Sequence, residues 1–141
     1  MELVRRLRFE SGLLRRGGAR TTACDTGGRT QWDAPSAWPP LQLMLIEGLH
    51  SVASTSGCHA AGELARALAQ RWVSSSLAAW RADGVMWEKL DAEHPGSRGG
   101  GGEYDPQVGF GWSNGVVLAL LDMFPDLVEE ESEEKREGVV R

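Results

Sequence analysis

Glu103 stands directly behind four glycines in RGGGGEY (residues 98–104), and Tyr104, Phe110 and Trp112 follow within a few residues. A carboxylate is a double hydrogen-bond acceptor, and a backbone without Cβ atoms can pass where other residues cannot. The run lacks the spacing and the lysine of the phosphate-cradling motifs GxGxxG and GxxxxGK[ST]. A flexible linker accounts for the glycines but not for the aromatics after them. A loop that passes close to a ligand and presents Glu103 to it accounts for both. A second cluster, QWDAPSAWPP (residues 31–40), sets Gln31 and Asp33 around Trp32. Indole rings offer flat apolar faces that suit the C–H patches of sugars, and the amide and carboxylate suit sugar hydroxyls. Alternatively, Trp32 and Trp38 are ordinary core anchors. Glu88, between Trp87 and Lys89 in VMWEKLD, reads by position as a solvated glutamate just past a helix end. His50, Cys58, His59 and His94 match no common zinc-ligand spacing.

Helices must hold these loops in place. Pro39 and Pro40 fit the first turn of a helix, and Leu41, Met44, Leu45 and Leu49 recur after them at helical spacing. The segment GELARALAQRWVSSSLAAWRADG predicts a long amphipathic helix. Leu64, Leu68, Trp72, Leu77 and Trp80 form its apolar face, and Gly84 ends it. A last helix is expected in SNGVVLALLDMF, capped by Ser113 or Asn114 and stopped by Pro125. Residues 1–30 show little periodicity. The class is all-α, with long loops that carry the unusual chemistry.

The 141 residues suit one globular domain, and 41% hydrophobic with 25% charged residues is ordinary for a folded protein. A net charge of −5 argues against a general nucleic-acid binder. No apolar run is long enough to cross a bilayer. The N-terminus has arginines but no continuous apolar stretch behind them, so it does not read as a signal peptide. The basic start and the acidic end read as solvated tails, and Cys24 and Cys58 leave the redox compartment open.

QWDAPSAWPP resembles the QWD-x-P-x-x-W-x-P signature of trehalases, glycoside hydrolases that split α,α-trehalose into two glucose molecules. RGGGGEY, followed by QVGFGWSNGV (residues 107–116), resembles the glycine-rich C-terminal segment of that family. SGLL (residues 11–14) and IEGL (residues 46–49) are similar to it too, so the resemblance runs from about residue 11 to residue 124. It implies the C-terminal part of an (α/α)6 barrel over residues 1–125, followed by an acidic tail over 126–141. It implies trehalose as the small-molecule partner and no metal, nucleotide or other cofactor.

The same resemblance distributes roles. EKL (residues 88–90) is similar to the EKY-type segment that holds the family's general base, which implies Glu88 as that base; Leu90 stands where the tyrosine is usual. Glu103 matches a substrate-binding glutamate on a loop that closes over the sugar. Trp32 matches an aromatic residue of the glucose pocket, with Gln31 and Asp33 beside it. Inverting hydrolysis needs a carboxylate to activate water and a carboxylic acid on the opposite side of the bond, about 6.5–9.5 Å away. The family's acid is an aspartate in a segment upstream of everything matched here. Two expectations follow: this is the C-terminal piece of a trehalase, or it is a non-catalytic remnant with at most weak sugar affinity or an interaction module.

Overall fold

The computed structural model describes residues 2–127. Four helices dominate it: α1 over Glu2–Phe9, α2 over Pro39–Ser56, α3 over His59–Asp83 and α4 over Gly111–Met123. Four two-residue strands form two antiparallel ribbons. In one, β1 (Leu14–Arg15) pairs with β2 (Gly18–Ala19); in the other, β3 (Ser36–Ala37) pairs with β4 (Leu90–Asp91). The fold is all-α, as expected, and its helices make up part of an α/α barrel.

Local chemistry explains the central helix pair. The two prolines open α2, and Gly57 closes it at φ 66°, a left-handed conformation that glycine reaches without steric cost. Gly84 ends α3 in the same way, at φ 73°, and its N–H donates to the Trp80 carbonyl at 2.8 Å. The two helices pack along their length, and Ile46, Leu49, Leu64, Leu68 and Trp72 form the centre of the core. Burial of each such aliphatic side chain contributes about 1.5–3 kcal/mol. Gln42 is buried among them for a specific reason: its amide bonds the backbone of Ala19 in both directions, at 2.7 and 2.8 Å, and so pins β2 to α2.

Four details differ from the sequence expectation. A short helix, α1, forms at the start, where the periodicity is too brief to read. It buries Val4, and Arg5 pairs on its surface with Glu2 and Glu10. Met44 is exposed, because α2 turns Gln42, Ile46 and Leu49 inward instead. On α3 the buried stripe continues through the small residues Ser75, Ser76 and Ala79, which leaves Trp80 half-exposed on another face. The N-cap of α4 is Phe110, about one turn earlier than Ser113 or Asn114, and Ser113 donates its hydroxyl to the Trp87 carbonyl instead. Of the expected acidic tail, residues 128–141 lie outside the described residues. Leu127 is buried in the core, and Asp126 pairs with Arg66 at 2.7 Å.

Candidate active site

The segment of residues 86–92 organises the loops. Ala37 pairs with Leu90, and the Ala92 N–H donates to the Pro35 carbonyl at 2.9 Å. The Glu88 N–H donates to the Gln107 carbonyl at 2.8 Å, and the Gly99 N–H donates to the Lys89 carbonyl at 2.9 Å. The chain bends at Glu88 and Lys89, and their side chains meet different partners.

Glu88 is 3% exposed, and it is the one buried carboxylate among the described residues. Its position after a helix end suggests a solvated side chain, yet residues 104–113 fold over it. Oε2 accepts the backbone N–H of Gln107 at 3.0 Å, and Oε1 accepts the Tyr104 hydroxyl at 3.3 Å. Its own carbonyl accepts the indole N–H of Trp112 at 3.0 Å, while Ser113 Oγ donates to the neighbouring Trp87 carbonyl at 2.7 Å. Burial and the Glu88 charge hold the Tyr104 phenol above its ordinary pKa, against a weaker opposing effect of Gln31. Tyr104 thus stays a proton donor to the carboxylate at neutral pH.

The glycine run crosses another piece of the same chain. A Cβ on Gly101 would lie 2.5 Å from the Gly28 carbonyl oxygen, and one on Gly102 would overlap the Gln31 side chain. Both residues also adopt left-handed φ values, 76° and 88°, and the Gly102 N–H donates to the Gly28 carbonyl at 2.9 Å. Gly100 meets nothing within 4 Å. The neighbour that requires glycine at 101 and 102 is thus the loop before Gln31, which neither a linker nor a ligand-contact reading anticipates. Residues 98–106 line an open cleft of about 410 Å³, with Glu103 exposed at its edge.

Trp32 is 48% exposed and stacks on buried Trp38, with centroids 4.0 Å apart and planes 19° from parallel. Trp38 in turn meets Trp112 edge-on at 5.8 Å. Trp38 is a core anchor, and Trp32 offers an accessible ring. Both polar atoms of the Gln31 amide are buried, and apart from its interaction with the Tyr104 phenol the amide has no hydrogen-bond partner among the described residues. Such an amide is costly unless something bonds it, so it suits a ligand hydroxyl. Asp33 is engaged differently. Its two oxygens accept the hydroxyls of Thr30 and Thr22, at 2.6 and 2.9 Å, and these bonds hold its carboxyl below the usual range. It braces its own loop, next to a cis Ala34–Pro35 peptide.

Glu88, Gln31, Trp32 and the Glu103 loop therefore belong to one loop cluster at the ends of α2, α3 and α4. Tyr104, Gln107, Trp112 and Lys89 complete it, and sequence reading assigned them no role. The signals that could have found them were the aromatic density after the glycines and the lysine next to Glu88. Among the described residues, no group of three or more His, Cys, Asp or Glu side chains is placed to hold a metal ion. No described helix is long and apolar enough to cross a membrane, and Cys24 and Cys58 are free thiols.

The family model described as Trehalase matches residues 2–125, which takes in α1 as well as the motifs. The chain is 50% identical over 115 residues to a probable trehalase of Oryza sativa subsp. japonica, covering 82% of this chain and 19% of that protein. It is 49% identical over 108 residues to a trehalase of Tenebrio molitor, covering 77% and 18%. With a trehalase of Homo sapiens the identity is 44% over 109 residues, again covering 77% and 18%. The chain spans about a fifth of the length of the curated relatives it matches.

Proposed function

This chain belongs to the trehalase family, and on that premise we propose that it supplies the water-activating and glucose-holding part of an active site that hydrolyses α,α-trehalose. The observation that carries the reading is the burial of Glu88 beneath the loop that carries Glu103, beside a second loop that presents the accessible Trp32 ring and the Gln31 amide. Glu88 is the general base. Its carboxylate removes a proton from a water molecule, whose oxygen attacks the anomeric carbon with inversion, while a separate acid protonates the departing glucose. The Gln107 N–H and the Tyr104 hydroxyl fix the orientation of the carboxylate. Glu103 and Gln31 bind sugar hydroxyls, the Trp32 ring lies under a sugar face, and Asp33 contributes through the loop that it braces.

The test replaces the matching segment of the Oryza sativa relative with this chain and measures glucose release from trehalose. Glu88→Gln is expected to lower kcat by about 10²–10⁴-fold with little loss of binding. Near-normal turnover in that variant would refute the assignment. A second reading is that the 141-residue chain alone binds sugar without hydrolysing it. It is favoured by the single buried carboxylate, because the reaction needs an acid as well as a base. Purified chain is expected to release no glucose; turnover abolished by Glu88→Gln would sink this reading.

A further inference from the structure

We propose that Lys89 is a positioning residue, a buried ammonium clamp that fixes the glycine loop and the Gln31–Trp32 loop against the segment bearing Glu88. Its consequence for catalysis rests on the reading of Glu88 given above; the clamp itself does not. Lys89 is fully buried. Its Nζ lies within hydrogen-bond distance of the Gly100 carbonyl at 2.9 Å, the Gln31 carbonyl and Ser36 Oγ at 3.2 Å, and the Gly101 carbonyl at 3.3 Å. An ammonium has three hydrogens, so these four oxygens share them, and they come from two stretches of chain, residues 31–36 and 100–101. The group also lies 5.2 Å from the centre of the Trp38 ring, the ring on which Trp32 stacks.

None of these acceptors is a carboxylate, so the charge is held by neutral oxygens and an aromatic face. Burial pushes the Lys89 ammonium below its ordinary pKa, with the Glu88 charge opposing. A methionine would fill similar space without that desolvation cost. What it could not do is satisfy carbonyls from two loops that turn inward at the same point. The lysine stem has a second effect: a Cβ on Gly99 would lie 2.8 Å from Lys89 Cγ, so the stem sets how closely the loop approaches. Glu88 and Lys89 are neighbours in the chain and engage different partners. The base and the loops that carry Trp32 and Glu103 are therefore indexed to each other through adjacent residues.

NMR of the isotopically labelled 141-residue chain tests the clamp. In the wild type, the Lys89 Nζ protons are expected to exchange slowly with water and to show couplings across hydrogen bonds to the Gly100 and Gln31 carbonyl carbons. Exchange at the rate of a free lysine overturns the proposal without any variant. In Lys89→Met, amide exchange at Gly99 and Gly102 is expected to rise about tenfold or more, with α3 amides at Leu68 and Trp72 little changed. Lys89→Arg, which keeps donors and charge, is expected to recover part of the protection. Parallel changes in the loop and in α3 would reduce Lys89 to a general packing role and overturn the proposal. If these results hold while Glu88→Gln leaves turnover in the chimera intact, the catalytic reading falls and the clamp stands.

Discussion

The loop cluster around Glu88 and the groove between α3 and α4 invert the usual distribution of polarity. In the first, a carboxylate and an ammonium are buried and hydrogen-bonded from several directions. In the second, Leu77, Trp80, Val117, Leu118 and Leu121 line an open cavity of about 390 Å³, with Trp80 and Leu118 51% and 67% exposed. Burying charge is worthwhile only where geometry is worth fixing, since each buried polar group must be matched by a partner. The groove shows no such matching. Its side chains fill space in a general way, and few of them are locked. One region is thus specified by direction and the other only by hydrophobicity.

The contrast can be broken most forcefully with tryptophans. Trp38→Ala, in the loop cluster, is expected to cost about 3–5 kcal/mol in chemical denaturation, whereas Trp80→Ala should stay within about 1 kcal/mol of wild type. Equal losses would mean that the groove is as tightly determined as the cluster. Next come the glycines. Gly102→Ala meets Gln31 and a left-handed φ together and should cost about 2–4 kcal/mol; Gly100→Ala, facing open space, should change stability by less than about 0.5 kcal/mol. Similar melting curves for the two would remove the reason given for the glycine run.

Smaller effects sharpen the picture. Leu118→Lys is expected to reduce concentration-dependent self-association in light scattering while leaving the melting temperature nearly unchanged, because the residue lies on an exposed apolar patch. An undiminished scattering signal would move the sticky surface elsewhere. The last effect is one of pH. The folded-state pKa of Asp33 is depressed by Thr30 and Thr22, so its contribution is present above the ordinary aspartate pKa and is lost as pH falls through the lower folded value. The protection factor of the Thr30 amide, which removes the intrinsic pH dependence of exchange, should fall across that acidic window, and Asp33→Asn should flatten the response. A pH-independent protection factor in the wild type would show that the threonine bonds do not hold the loop.

Much of this architecture was legible because helices announce themselves. Pro39, Pro40 and Gly84 mark boundaries through backbone chemistry that depends on few neighbours. The inward face of α2 was harder to read, because Gln42 looks polar and Met44 apolar until the backbone of Ala19 is known to sit against the helix. The site divides in the same way. Family motifs pointed to Glu88, Glu103 and Trp32, but the partners of Glu88 come from Tyr104, Gln107 and Trp112, sixteen to twenty-four positions away along the chain. No periodicity links such residues. The meaning of Lys89 and of Gly101 was hidden for the same reason, since each is defined by a contact with a distant loop.

The crossing of Gly101 over Gly28 has an evolutionary consequence. With one main chain resting directly on another, Gly101 cannot gain a side chain unless the loop of Gly28 moves, whereas a Cβ on Gly28 would meet only Gly101 Cα, at 3.7 Å. The glycine run is therefore tied to the position of the other loop, and a library that randomises residues 99–102 alone should return mostly glycine at 101. Any attempt to widen the cleft would have to redesign both loops as one object.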